Sequence, residues 1–375
     1  MKVVIFAHPK ENHTWPVKWA LEQAGFEVAC WDGLSWAEQQ QSSLLWDTQT
    51  KQMKVELGSF TVEPGDAIWI RRPGHPTHHP SVVEADKKFA EVEYRSFYHS
   101  IAYTLETLPV WCINRFSGAR FIHNKAVQLQ LAQACGLRIP GTLMSNSPSR
   151  IRGFMAGSPD RTIGKGFTPH VWQRENEGGV SVTETFELTP ERLPTDEVLT
   201  YAPAIYQQMV DKQFDIRMVL MGSRIYSFAL LNAKKALDWR QDAGLGNIQL
   251  EIVPTPPDVE KGILEFARRA NICFGSVDFA VDHDGQWWFL EINEQGQFLW
   301  LDQFNPQART LEKFCAFITA PEGSTQPLEK REGLFPAFSE YIKYYRSLKE
   351  NQEPLDVAAA VAASPFMSWE TQKAG

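Results

Sequence analysis

The chain of 375 residues, 43% hydrophobic and 22% charged, is long enough for two or three domains with their own cores, which excludes a disordered or fibrous class. Its formal net charge of -8 excludes a broad phosphate-binding face, so neither nucleic acid nor an anionic membrane surface is expected as a partner. Five cysteines, Cys30, Cys112, Cys135, Cys273 and Cys315, are scattered with no Cys-x-x-Cys pair, the pattern of reduced thiols in the cytoplasm.

The opening MKVVIFAHPK has an apolar run too short and wrongly flanked for a signal peptide, and no later segment offers about 18 uninterrupted apolar residues, so no membrane span is expected. Residues 2–7 (KVVIFA) read as a strand, Thr14 and Pro16 start a helix over 15–24, Gly25 ends it, and 26–31 (FEVACW) is a second strand. AIWIRRPG at 67–74 is a further strand ending on two arginines. Phe89, Val92, Phe97, Ile101, Leu105 and Leu108 recur at helical spacing across 84–108, before a strand at 110–114 (VWCIN). Residues 1 to about 123 thus read as one small α/β domain.

A helix over 124–135, closed by Gly136, and a strand over 138–145 open a second α/β unit. From 163 to 230 strands and turns dominate (TIGKGF, VSVTETFEL, AIYQQMV, DIRMVLMGSRIYSFALL), which predicts a mixed or antiparallel sheet. DVEKGILEFARRA at 258–270 is a helix and 275–293 a hairpin. Beyond 321 the composition turns to Pro, Glu, Lys and Gln around one short aromatic helix at 338–348, and that tail points to no function.

Asp284-Gly285 is a favoured two-residue hairpin turn. Strands folded about it set His283 against Gln286, Val281 against Trp288, Phe279 against Leu290 and Val277 against Ile292, an apolar face. The other face sets Asp278 against Glu291, with Asn293 against Ser276. Two opposed carboxylates among Phe289, Leu290, Ile292, Phe298, Leu299 and Trp300 repel each other and are costly to bury, so a cation between them is the simple remedy. Oxygen ligands with no His or Cys in register select Mg²⁺ or Mn²⁺ over zinc, and Mg²⁺ completes its shell with phosphate oxygens, which points to a nucleotide. The plainer reading is a solvated sheet face with arginines as neighbours.

An Asp, a Glu thirteen residues on and an Asn two further, here Asp278, Glu291 and Asn293, resemble the last magnesium-binding segment of the ATP-grasp ligases. Lys125 just inside a helix start (NKAVQLQLA), Lys165 in TIGKGF and the hinge-like IYQQMVDKQFDIRMV fall where that family needs them. The resemblance implies an α/β (α+β) class, an ATP-grasp fold with an N-terminal pre-ATP-grasp α/β domain over 1–123, a central subdomain over 124–204, a C-terminal subdomain over 205–320 and a tail over 321–375. More narrowly, WIRRPG (69–74), NKAVQLQLAQACGLRIPGTLMSN (124–146), DIR (215–217), DWR (238–240) and EINEQGQFLWLD (291–302) resemble the microviridin-type, or graspetide, peptide maturases, over residues 1 to about 315.

That resemblance implies a ligase that passes the γ-phosphoryl group of ATP to an Asp or Glu side chain of a ribosomal precursor peptide, then lets a hydroxyl or amine displace phosphate from the acyl phosphate to close an ω-ester or ω-amide ring. Such chemistry asks for positioning and charge neutralisation more than for a reactive side chain. It implies Mg²⁺, or Mn²⁺, on Asp278, Glu291 and Asn293, and phosphates held by Lys125 and Lys165. Gln208, Met209 and Val210 meet the adenine, with Gln208 standing where a hinge acid is commoner, and Asp215 takes the ribose. Arg217 and Arg240 face the carboxylate and the transferring phosphoryl group. A helical leader of the precursor, followed by an acidic core, docks away from the site, with Trp172 and Arg174 as candidate contacts on position alone, and a homodimer is implied.

Plainer readings stand beside these: solvated lysines, an Arg217–Asp215 cross-strand ion pair, a surface loop for His75, His78 and His79, and a solvent-facing His283. Two other functions fit parts of the sequence. A ligase joining a free amino acid to a peptide, protein tail or small acid yields a product heavier by an amino acid instead of lighter by water. A non-catalytic nucleotide- or peptide-binding descendant has no need to keep Asp278, Glu291 and Asn293 in register.

Overall fold

Val3, Val4, Ile5 and Phe6 are fully buried because strand β1 (Lys2–Ala7) lies inside a parallel sheet. That sheet runs β2-β1-β6-β7, with β2 (Glu27–Trp31), β6 (Ala67–Arg72) and β7 (Trp111–Ile113), and α1 (Thr14–Gln23) crosses from β1 to β2 as expected. The computed structural model describes residues 1–34, 41–74, 77–158, 161–168, 171–173, 180–182, 185–232, 248–320, 331 and 333–350. An antiparallel meander absent from the sequence reading, β3 (Ser42–Asp47), β4 (Gln52–Leu57) and β5 (Phe60–Thr61), is inserted before β6. Helix α2 (Glu84–Thr107) has the expected span, but only Ile101, Ala102 and Leu105 are buried on it and Phe89 is 67% exposed. The apolar spacing of its first half is therefore not a core stripe.

After α3 (Phe116–Ile122), Asn124 starts α4 (Lys125–Ala134) by accepting from the backbone N–H groups of Ala126 and Val127 at 3.0 and 3.2 Å, which sets Lys125 in the first turn. Strand β8 (Thr142–Ser145) begins later than expected, after Pro140 and Gly141. Then follow α5 (Pro148–Gly157), β9 (Thr162–Lys165), β10 (Val171–Gln173), β11 (Val180–Val182), β12 (Phe186–Leu188), α6 (Asp196–Tyr201) and β13 (Ala204–Gln208). The antiparallel sheet here runs β12-β9-β13-β8, and β10 pairs with β11 apart from it. The strand-and-turn reading of this region missed α6, whose start is marked by the Thr195 cap and by Asp196 and Glu197 in its first turn.

The largest sheet is antiparallel and runs β16-β15-β14-β17-β18, from β14 (Lys212–Met221), β15 (Arg224–Asn232), β16 (Ile248–Val253), β17 (Phe274–Asp282) and β18 (Trp287–Asn293). Helix α7 (Pro257–Ala270) opens on Pro257 with Asp258 and Glu260, closes on Arg268 and Arg269, and stops at left-handed Asn271. With α4 it covers one sheet face through Ile216, Met218, Val277, Phe279, Phe289 and Ile292. The opposite face is divided. Val219, Met221 and Phe274 share a core with the parallel sheet and α9 (Thr310–Ile318), which follows the short α8 (Trp300–Phe304). Asp215, Arg217, Ser276 and Asp278 form its polar half, buried but not apolar.

Of the tail, α10 (Phe338–Glu350) returns to α1, where the Trp19 ring lies 5.6 Å from Tyr341 and 5.7 Å from Tyr344. All five cysteines are free thiols. Among the described residues no helix is long and apolar enough to cross a membrane.

Candidate active site

The hairpin that carries the candidate metal ligands turns differently from its sequence reading. Only Gly285 takes a positive φ, +74°, and Asp282 pairs with Gln286 across a three-residue loop. The cause is Asp282, whose carboxylate accepts from the N–H of Asp284 at 3.0 Å, of Gln286 at 2.8 Å and from Trp288 Nε1 at 2.8 Å. The register near the turn is therefore shifted by one: Val281 faces Trp287, Ala280 faces Trp288, and Phe279 faces Phe289, not Leu290. A bulge between Asp278 and Phe279 absorbs the extra Leu290 and restores the expected pairing beyond it, with Asp278 opposite Glu291, Val277 opposite Ile292 and Ser276 opposite Asn293. Phe279 and Phe289 then meet edge to face at 5.7 Å on the helix-covered side, and Leu290 lines the cavity on the other.

Both carboxylates meet cations of the chain. Arg217, opposite Asp278 on β14, donates from Nη1 to Asp278 Oδ1 at 2.7 Å and from Nη2 to the Gln297 carbonyl at 2.8 Å. Lys125 Nζ donates to Glu291 Oε2 at 2.5 Å. Lys125, Glu291, Asp278 and Arg217 thus form one row whose signs run plus, minus, minus, plus, with the Arg217–Asp278 end buried and Lys125 and Glu291 about one-third exposed. The Arg217–Asp215 pair is not formed: Asp215 Oδ2 accepts from Lys212 Nζ at 2.7 Å. Asn293 is exposed, and its Oδ1 accepts from the Gln295 N–H at 2.9 Å. Among the described residues no three His, Cys, Asp or Glu side chains converge as a metal cluster. The three expected ligands offer two carboxylates and one carboxamide, which leaves the rest of a hard cation's shell to water and phosphate oxygens.

Strand β18 is at the sheet edge, and α4 covers that edge. Buried Gln128 acts as a surrogate strand residue: its Nε2 donates to the Ile292 carbonyl at 2.9 Å and its Oε1 accepts from the Ile292 N–H at 3.0 Å. Lys125, one turn earlier, reaches the neighbouring Glu291. From the end of β7, Asn114 Nδ2 donates to the carbonyls of Phe274 and Glu294, and its Oδ1 accepts from the N–H groups of Cys273 and Phe274. Both strands of the β17–β18 pair are therefore fixed from outside the hairpin at its open end.

A small cavity between the four-stranded sheet and α4 is lined by Lys125, Gln128, Lys165, Ile205, Gln207 and Leu290, among others. It brings together the two lysines that the sequence reading assigned to phosphates. Lys165 donates to Gln207 Oε1 at 3.1 Å, and Gln207 Nε2 donates to Thr142 Oγ1 at 2.9 Å. The adjacent Gln208 points away from this pair: its Oε1 accepts from the Gly141 N–H at 3.0 Å. Met209 donates its N–H to the Arg161 carbonyl at 2.6 Å, and Val210 follows at the end of β13. A wider groove on the outer surface of α7, lined by Glu260, Lys261, Leu264 and Arg268, belongs to the helix side of the sheet and not to this face.

Arg240 and Arg174 lie outside the described residues, as does His75, and so does the side chain of Trp172 in β10. His78 and His79 are on the surface, and His283 is exposed at the hairpin turn. Sequence reasoning missed Gln128, Gln207, Asn114 and the buried group Glu11, His13 and Arg71. Local signals existed for two of them, strand alternation at Ile205 and Gln207 and the paired arginines that hold Arg71 at the end of AIWIRRPG.

No family model matches the chain, and no curated protein matches it. Solved structures do. A RiPP-associated ATP-grasp ligase from Chryseobacterium gregarium, in complex with ADP and a leader and core peptide, is 22% identical over 84% of this chain and 96% of that one, with a TM-score of 0.72. The macrocyclase MdnC of Microcystis aeruginosa MRC, bound with precursor peptide MdnA, is 24% identical over 83% of this chain and 99% of its own, with a TM-score of 0.68. The ATP-grasp ligase PsnB, complexed with a minimal precursor, Mg and ADP, is 19% identical over 82% and 96%, with a TM-score of 0.62. With two antiparallel sheets, a parallel N-terminal sheet and a cavity lined by Lys125 and Lys165, the chain has the ATP-grasp fold.

Proposed function

We propose that this chain is an ATP-dependent, ADP- and phosphate-forming ligase that phosphorylates Asp or Glu side chains of a ribosomal precursor peptide and closes them into ω-ester or ω-amide rings. The observation that carries the proposal is the Lys125–Glu291–Asp278–Arg217 row beside a cavity that also holds Lys165. The likeness to ligases whose structures contain precursor peptides and ADP supports the substrate class.

Asp278, Glu291 and Asn293 are the proposed holders of Mg²⁺ or Mn²⁺, since their donors are all hard oxygens. When bound, the cation neutralises β- and γ-phosphate charge and makes the γ-phosphorus more electrophilic. Lys125 and Arg217, which meet the two carboxylates, are the cations that phosphate oxygens take up, with Lys165 across the cavity. Backbone groups of Gln208, Met209 and Val210 receive the adenine, and Asp215 the ribose. Arg217, with Arg240, orients the substrate carboxylate for attack on the γ-phosphorus, ADP leaves, and a substrate hydroxyl or amine then displaces phosphate from the acyl carbon. Each ring costs the peptide one water.

The proposal includes the domain limits 1–123, 124–204 and 205–320, a tail from 321, leader contacts at Trp172 and Arg174, and a cytoplasmic homodimer, for which sedimentation of the full chain is the direct check. The function itself is tested by co-expression with each short acidic open reading frame beside the gene, reading intact peptide mass with the wild type and with Glu291→Ala. Loss of one water per ring with the wild type alone is expected. A gain of one amino-acid mass would turn the reading to an amino-acid ligase, and an unchanged mass with every candidate would overturn it.

A further inference from the structure

Glu11 and His13, in the connection from β1 to α1, and Arg71, at the end of β6, are all buried and lie outside the proposed ligand contacts. Arg71 donates from Nε to Glu11 Oε1 at 3.1 Å, and its Nη2 lies 3.0 Å from the same oxygen. Its Nη1 donates to the Gln295 carbonyl and sits 3.5 Å from that of Gly296. His13 Nε2 accepts from the N–H groups of Phe298 at 3.1 Å and Leu299 at 3.3 Å. That acceptor role puts the imidazole proton on Nδ1, which lies 3.4 Å from Glu11 Oε1 and 3.3 Å from Arg71 Nη2, so the proton is directed at the carboxylate between them. Burial and the Arg71 charge, acting against Glu11, bring the His13 imidazole down to about 4, consistent with a neutral ring.

The segment 295–299 is thus held along its length by side chains: Arg71 at the first two carbonyls, Arg217 at the Gln297 carbonyl, His13 at the last two N–H groups. It is pressed onto β17, since a Cβ on Gly296 would lie 2.2 Å from that of Ser276, two residues from Asp278 on the same face. Replacing a buried ionic group of this kind by packed apolar residues is often neutral or stabilising, so stability alone does not account for it.

We propose that Glu11, His13 and Arg71 are a positioning unit: they fix segment 295–299, and through its Gln297 carbonyl they orient the Arg217 guanidinium beside Asp278, so that seating of the N-terminal domain sets affinity for the metal–nucleotide complex. The inference rests on the proposed nucleotide site. It makes Arg217 the point through which His13 acts.

The test uses the full-length chain, with Mg²⁺·AMPPNP binding by calorimetry and hydrogen exchange over residues 294–300. His13→Leu is expected to speed exchange there and to weaken Mg²⁺·AMPPNP about tenfold, the scale at which outer partners of a metal site act. His13→Gln, whose amide oxygen can accept from Phe298, is expected to stay within about threefold of wild type. In an Arg217→Lys background, His13→Leu is expected to add less than about twofold, because the two changes share one route. Should His13→Leu not fold, Arg71→Lys, which keeps the charge and loses the fork, carries the same expectations. Faster exchange with unchanged affinity, or losses that add in full in the double variant, would overturn the positioning role alone. A wild-type chain that binds no Mg²⁺·AMPPNP would overturn the proposed function and this inference with it.

Discussion

Asp278 and Glu291 stand directly opposite each other because two irregularities cancel: the three-residue turn at 283–285 shifts the strands by one, and the bulge beside Asp278 shifts them back. Without the bulge, Glu291 would leave the cleft face, since a one-residue slip turns every side chain over.

The turn that Asp282 organises needs a left-handed residue at Gly285, so Gly285→Ala is expected to destabilise the chain by about 1 kcal/mol in urea unfolding. Gly285→Asn, with a residue that tolerates this region, is expected to lose less. Equal stability of the wild type and Gly285→Ala would remove the turn from this account.

The two carboxylates are expected to separate stability from activity. Glu291→Gln, at a half-open position, should abolish ligation and leave the melting temperature within a few degrees of wild type, because exposed pairs are worth about 1 kcal/mol or less. Asp278→Ala leaves the buried Arg217 guanidinium without its carboxylate and is expected to cost about 3 kcal/mol as well as activity. Unimpaired ligation in either variant would falsify the metal assignment.

Gln128→Leu removes both side-chain bonds to Ile292 at the edge of β18. With the Ile122 carbonyl, to which Gln128 Nε2 also donates at 2.7 Å, three buried backbone groups lose their partner, which predicts a loss of about 2–3 kcal/mol together with faster amide exchange at Ile292. A variant with wild-type protection at that amide would show that β18 does not depend on α4.

Protonation of His13 gives a pH signature. Its folded value of about 4 lies below the unfolded value of about 6.5, so the unfolded chain takes up the proton first and stability is complete above pH 6.5. Stability is expected to fall by up to about 3 kcal/mol between pH 6.5 and 4, and less steeply in His13→Gln. For Glu11, burial works upward, but Arg71 and His13 outweigh it and hold the carboxyl well below the usual range, so its share is lost only at lower pH. Parallel pH curves for wild type and His13→Gln would refute the neutral buried imidazole.

What the sequence determined by itself lies within short spans. The apolar run after Lys2 made β1, an N-terminal Pro and charge placement made α7, and period-two alternation put Asp278 and Glu291 on one face of a hairpin, though through a two-residue turn that the chain does not form. The tertiary structure decided which groups meet these carboxylates. Lys125 is 166 positions from Glu291, and His13 is 285 positions from Phe298. A single His, Gln or Lys carries no periodicity, so its partner depends on how α4 and the parallel sheet seat on the large sheet. The same holds for the bulge: alternation fixes which face a residue takes, but only the packing of Phe279 against Phe289 decides that Leu290 is the residue set aside.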